Sequence, residues 1–555
     1  MTQSLHGHGH LHLHSGTVWQ GEGHETAEQV LVSDGVITAV GAEVTARLTG
    51  LSEQERERVQ SVDLEGGFLM PAFGDGHAHP LFGGLEGAGP AVRACTSVEQ
   101  IVEEVRHYAE EHPELPWILG ASYDGSLAPE GLFDARWLDE AVSDRPVALR
   151  AWDYHTVWCN SAALEVAGIT AQTPDPELGE IPRHPDGRPW GTLREWGAID
   201  LVMQHCPPRD TDTLVDALRR ASRYFLEHGV SWVQDAWVEP ENLEAYLAAA
   251  EQDALEIRYN LAFYADPRHI DHQLEDFAAQ RVRVQAAGHP HLTANTVKFF
   301  ADGVIENETG ALLQPYCSGL HDHGMTVWEG DSLAHAAAAV DALGFQIHIH
   351  AIGDAAVRQA LDAIEHAVSV NGPRDRRPVI AHAQLVDEQD LPRFSSLGVI
   401  PCMQPLWAQP DALMTVLQVP RLGTERSDQQ YRMRTLRDDG AALAFGSDWP
   451  CSSGAPLEGV AVAVSRQTED GEPDQGWTPQ ERLDLGVSLD DYSTAVAHQG
   501  FADLHEHPWG RIRPGAAADL VWLAQDPRGL TASGLRSLPV RATFVGGRAH
   551  LHPTD

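Results

Sequence analysis

Short apolar runs ending in histidine, lysine or aspartate, separated by amphipathic helical stretches, constrain this chain more than any other feature. TLVDALRRASRYFLEHG precedes VSWVQDA, and HAAAAVDALG precedes FQIHIHA. Repeated switching from 3.6-residue periodicity to a short apolar run reads as βα units on a parallel sheet. Reactive residues at strand ends are how a (β/α)8 TIM barrel assembles a site on one face. The runs are FLMPAFGDGHAHP, NTVKFFADG, FQIHIHAIGD, RPVIAHAQLV and ALAFGSDWP, carrying His77, His79, Lys298, His350, His382 and Asp448. Lys298 follows His79 by 219 residues, and the next intervals are 52, 32 and 66 residues. At roughly 30 residues per barrel unit, these groups fall on strands one, four, five, six and eight. The 219-residue interval then holds about 120–130 residues more than its three units need.

Composition locates that excess. Residues 85–205 are rich in Trp, Pro and turn signals, with little βα regularity, as in PWILGASYDGSLAPEG and AQTPDPELGEIPRHPDGRPWG. They read as an insertion domain over the barrel mouth. The two ends of the chain echo each other. QVLVSDGVITAVG is a strand pair around Ser33-Asp34-Gly35, and SLPVRATFVGGRAHL is another around a Gly-Gly turn. The expected fold class is therefore α/β. Residues 1–70 and 509–555 would form a β-sandwich domain, 71–508 the barrel, and 85–205 the insertion. A length of 555 residues suits several structural units.

The net charge of −43 argues against nucleic acid and anionic membranes as partners. No run reaches the ~18–20 apolar residues of a membrane helix. No basic region followed by an apolar core marks a secretory signal, so a cytoplasmic location is expected. Six cysteines without a CxxC pair read as free thiols in a reducing compartment. The expected partner is a small-molecule substrate, with a homodimer left open. His6, His8, His10, His12 and His14 alternate and would share one strand face. Without Cys or carboxylate at ligand spacing, they read as an exposed strand or frayed terminus, not a metal strip.

His77 and His79 are two apart at a strand end, so both imidazoles can face one metal. Of 38 basic residues, Lys298 is the single lysine. Arginine replaces a surface ammonium readily, so a lone lysine between apolar residues suggests chemistry a guanidinium cannot do. A primary amine that captures carbon dioxide becomes an anionic carbamate able to bridge two cations. His350 lies nearer the strand end than His348, which reads as a satisfied core histidine one layer deeper. Asp448 can bind metal and accept a proton.

GDGHAHP, VKFFADG, HIHAIGDAAV, AHAQ and FGSDWP together resemble the metal motifs of the amidohydrolase superfamily. More narrowly, they resemble its N-substituted formamide deformylase-like branch. VSDGVITAVG, VWCNSAAL and RIRPGAAADLVWL extend the resemblance over nearly the whole chain. It implies a barrel with a sandwich built from both termini and a two-zinc site. His77 and His79 would hold one metal and His350 and His382 the other. Carboxylated Lys298 would lie between them, with Asp448 completing the ligands of the first metal. The same ligands suit Mn, Fe or Co. Two segments depart from the branch's pattern: Ala121-Ser122-Tyr123-Asp124 replaces a GWD sequence, and Asp153-Tyr154-His155 replaces D-G-H. Both fall where the branch lines its substrate pocket.

Within the insertion, His155 is either an oxyanion donor facing the metals or a packing residue. Glu195, in a GxLxE-like motif, either faces the pocket or is a capping or solvated carboxylate. Trp152 and Trp158 either shape an apolar pocket or pack the lid. The expected activity is hydrolysis of an amide or formamide-type C–N bond in a small molecule. A metal-bridging hydroxide would attack the carbonyl, and Asp448 would carry the proton to the leaving amine. The alternatives are the same site acting on an ester, lactone or cyclic imide, or a metal-binding protein without catalysis.

Overall fold

Eight short parallel strands run in sequence order around one sheet of a computed structural model, which describes residues 9–318 and 322–552. They are β1 (Phe73–Ala78), β2 (Val230–Val238), β3 (Arg258–Tyr264), β4 (Leu292–Phe300), β5 (Gln346–Ala351), β6 (Val379–His382), β7 (Ile400–Met403) and β8 (Ala444–Phe445). Beyond β8 the backbone meets β1: Asp448 N donates to His77 O and His79 N donates to Trp449 O, both at 2.7 Å. The sheet is thus a nearly closed TIM barrel. Strands β1 and β5 are buried along their whole length, as expected where helices cover the outside of a parallel sheet.

The helices form for readable reasons. In Thr211–Glu227, Asp210 caps the start by accepting from Thr213 N. Val215, Leu218, Ser222 and Phe225 recur at helical spacing and are buried against the barrel. Such packing, more than propensity, holds a helix of this length.

Strands from the two ends of the chain share a second, mixed eight-stranded sheet. Phe68–Pro71 pairs in parallel with His10–Val18 and antiparallel with Leu520–Leu523. The Asp34-Gly35 turn has φ of 47° and 81°, and Gly546-Gly547 has 54° and 77°. Both pairs take the left-handed geometry of tight hairpins. His10, His12 and His14 share the half-exposed face of a strand whose other face buries Leu11 and Leu13, as the exposed-strand reading expects, and pairing with two neighbouring strands excludes a frayed terminus. Their rings bond to Ser33, Gln29 and Ser61 respectively. His6 and His8 lie outside the described residues.

The insertion carries a four-stranded sheet of its own, Ile118–Tyr123, Val147–Ala151, Thr156–Cys159 and Thr192–Arg194. Its apolar core includes Ile101, Phe133, Leu149 and Trp158. Trp158 is a packing residue, with Nε1 donating to Asp134 O at 3.1 Å. In VWCNSAAL, Asn160 is a staple: Oδ1 accepts from Val147 N and Ala163 N, while Nδ2 donates to Val142 O and Arg145 O. Among the described residues all six cysteines are free, and no helix is long and apolar enough to cross a membrane.

Asp519 ties the terminal sheet to the barrel. Its carboxylate accepts from Arg258 Nε on β3 at 2.7 Å and from Gly546 N at 2.7 Å. Its side chain is buried. Asp519→Ala would leave the Arg258 charge unpaired and should cost about 3–5 kcal/mol of stability. Urea denaturation should show the midpoint falling; an unchanged midpoint would mean that this pair does not hold the two sheets together.

Candidate metal centre

The six strand-end residues come together at the C-terminal mouth of the barrel. His77 and His79 end β1, Lys298 lies near the end of β4, His350 is on β5, His382 ends β6, and Asp448 follows β8. Asp448 Oδ1 is 3.3 Å from His77 Nε2 and 3.0 Å from His79 Nε2. Donor atoms of His77, His382 and Asp448 all lie within 4.8 Å of one another. Rings of His350 and His382 are 4.5 Å apart between centroids.

These atoms suit a cation better than one another. Asp448 Oδ1 is buried, and among the described residues it has no hydrogen-bond donor. Four-coordinate zinc with bonds of about 2.0–2.1 Å places its ligand atoms about 3.3 Å apart. The Asp448 spacings match that separation.

Neighbouring groups decide which ring nitrogen stays free. His77 Nδ1 is 2.7 Å from His348 Nε2, His382 Nδ1 is 2.8 Å from Gln404 Oε1, and His350 Nε2 is 3.1 Å from Gly303 O. A ring N–H donated outward leaves the opposite nitrogen as a lone pair facing the mouth. Burial holds the His77 and His350 imidazoles well below the usual histidine range; Lys298 adds to it for His77 and His382 for His350. Burial likewise takes His382 to about 3. Neutral rings are what a metal requires.

His348 lies one layer down, as its spacing implies, but it is more than a satisfied core residue. It bonds to the ring of His77, and its own Nδ1 is buried without a partner among the described residues.

Lys298 is fully buried, its Nζ 3.4 Å from His77 Nε2 and 4.6 Å from the centre of the Phe300 ring. Burial drives its ammonium down to about 7, although Asp448 pulls the other way. A substantial fraction of the amine is therefore unprotonated near neutrality.

Two of these groups sit on strained backbone. Asp448 has φ of 58° and His382 of 72°, left-handed values that cost a non-glycine residue about 1–3 kcal/mol each. Strain of this kind persists only where the surroundings over-determine the position.

The insertion brings His155 over the mouth, its ring centroid 5.3 Å from that of His350. Its Nδ1 is 2.7 Å from Glu195 Oε2. Burial opposes the imidazolium, but Glu195 outweighs it and raises His155 to about 9. Glu195 is wholly buried, so it is not a solvated carboxylate. It is locked by Thr309 Oγ1 donating to Oε1 and by its own N–H donating to His155 O. Trp152, His155, His350, His382 and Asp448 share a cavity of about 510 Å³.

Other residues of this cavity escape a reading of strand ends. Glu306, in the loop after β4, is buried on the wall, and burial raises it to about 7. Trp407 stacks on His382 with centroids 5.5 Å apart. Gln404, behind the His382 ring and two residues after Cys402, repeats the period-two signal of His350 and could have been found by it. Glu306 has no such signal.

Three comparisons bear on this geometry. A protein of Arabidopsis thaliana named LONG AFTER FAR-RED 3 is 31% identical over 540 residues, covering 95% of this chain and 88% of its own. The N-substituted formamide deformylase of Arthrobacter pascens is 27% identical, covering 94% of each. A metal-dependent hydrolase from Pyrococcus horikoshii superposes with a TM-score of 0.72 at 24% identity, over 94% of this chain and 99% of its own, which supports the shared fold. The sequence profile of the amidohydrolase family matches residues 60–549. The chain belongs to the amidohydrolase family.

Proposed function

We propose that this protein is a binuclear metal-dependent amidohydrolase that cleaves the C–N bond of a small amide, of formamide type or close to it. The observation that carries the reading is the buried, donor-free Asp448 Oδ1 beside His77 and His79 in an aromatic-walled cavity. The name of the deformylase relative points the same way. His77, His79, Lys298 as its carbamate, His350, His382 and Asp448 are the ligands we assign, with zinc the expected ion. Two divalent cations there would supply Lewis-acid activation of the carbonyl and of water.

The protein's own groups complete the reaction. Asp448 takes the proton released when water adds to the carbonyl carbon and passes it to the nitrogen as the C–N bond breaks. His155, held by Glu195, donates a hydrogen bond to the carbonyl oxygen as charge builds there. Trp152 and Trp407 give apolar walls, and the lid of residues 85–205 sets substrate choice. Lys298 reaches its carbamate when the free Nζ attacks carbon dioxide, forming an N–C bond and losing one proton. Free cysteines suit a reducing cytoplasm, and the acidic chain suits a small-molecule substrate over nucleic acid.

The direct test is turnover of a panel of N-formyl and N-acyl amines beside lactones, esters and cyclic imides. C–N substrates should dominate, and Asp448→Asn should keep the fold while losing about 10²–10⁴-fold in kcat. Preference for lactones, or an active Asn variant, would sink the assignment.

Lys298→Arg should be as damaging as Lys298→Ala in both metal content and kcat, because a guanidinium stays positive and forms no carbamate. Acetate or propionate should partly restore the Ala variant. Elemental analysis and assays of the two variants decide it; an Arg variant close to the parent would refute the carbamate.

Glu195→Gln should lower kcat by about 10-fold or more while leaving metal content unchanged, since it weakens a charge-assisted bond to His155 without touching a ligand. Loss of metal in that variant would make Glu195 a structural support of the centre instead.

A further inference from the structure

A second cavity, of about 430 Å³, lies behind the lid between its sheet and the first barrel helices. Leu81, Phe82, Met203 and Leu214 give it apolar walls. Arg150 and Arg209 also line it. Among the described residues, neither has a carboxylate within ion-pair distance. Arg150 Nη1 donates to Tyr154 O at 3.2 Å, and its guanidinium lies 5.8 Å from the centre of the Tyr154 ring. Arg209 makes no hydrogen bond or ion pair among the described residues.

In a chain with 81 acidic and 38 basic residues, carboxylates are available in excess to neutralise such a pair. Those on this wall are mostly committed elsewhere. Glu86 is held by Arg93 and by the hydroxyls of Ser122 and Tyr154. Glu244 is held by Arg283. Only Glu241 is left on the wall. Asp200 and Glu239 feel the charge of Arg150 but line a neighbouring cavity. The two guanidiniums also oppose each other, with Arg209 exposed at the rim of the chamber.

Two mutually repelling guanidiniums beside an apolar chamber are complementary to a planar anion with an apolar tail. Each guanidinium can bind a carboxylate through two parallel N–H donors, and the tail fills the apolar walls. We infer that this cavity is a binding site for a small organic carboxylate with an apolar tail, separate from the metal centre. The site shares its wall with the catalytic mouth, since Phe82 stacks between Tyr154 and His79 at 5.9 and 5.8 Å.

The probe is octanoate, titrated calorimetrically into the full-length protein, with octanol and octylamine as controls. One saturable site should appear for octanoate and neither control should match it. Arg209→Gln, at an exposed position where misfolding is not expected, should weaken binding about 10-fold or more. Arg150→Gln should do the same. Asp448→Asn should bind octanoate as the parent does. Absence of octanoate binding in the parent, an Arg209→Gln variant that binds equally well, or loss of binding in Asp448→Asn alone would overturn the inference. The last result would place the carboxylate on the metal centre.

Discussion

Lone pairs converging in a buried barrel mouth are the constraint on which this structure turns. His77 and His79 present nitrogens to a carboxylate oxygen that none of them satisfies as a hydrogen-bond partner. Unfilled, such an arrangement is costly, because buried acceptors without donors keep their full desolvation penalty. The surroundings are built to hold it regardless. His348, Gln404 and Gly303 orient three rings from behind, and left-handed backbone at His382 and Asp448 turns their side chains inward. Stability has been given up locally, and the rest of the barrel carries it.

The lid obeys a different logic. Its sheet and its apolar core are independent of the barrel strands, yet two of its residues reach the mouth as a locked ion pair. Glu195 takes its place through three contacts, with Thr309 from the loop after β4, with the His155 ring, and with the His155 backbone. The lid is therefore keyed to the barrel beside the candidate metal centre. A shift of the lid would move His155 and Glu195 together, preserving their charge relation while changing their distance from the centre.

Much of this was legible in the sequence because a strand end in a parallel barrel leaves a mark: an apolar run, then a polar group, then a glycine or proline. FLMPAFGDGHAHP and ALAFGSDWP are such marks, and the intervals between them gave the strand numbers. The terminal sheet was legible from two left-handed turns, Asp34-Gly35 and Gly546-Gly547. The lid's sheet was not, since its strands are short, irregularly spaced and interrupted by proline-rich loops. His348 was read as core because alternation places a residue in depth but does not say what it touches. Glu306 was invisible because its burial arises only when a distant loop folds over it. The histidines at 10, 12 and 14 were legible as one face of a strand, but the partner on its far side was not, since it comes from residues 60–63.

The pairing of Phe68–Pro71 with Leu520–Leu523 has a consequence for how the chain is made. Some 450 residues separate the two strands. At the usual pace of synthesis, about 5–20 residues per second, the earlier strand waits roughly 20–90 s for its partner. Throughout that time Phe68, Leu69 and Met70 present an apolar, unpaired edge, the kind of surface that templates aggregation. The nascent protein is thus most vulnerable at an edge that the finished one conceals, and folding helpers that shield strand edges should matter more to its yield than to its final stability.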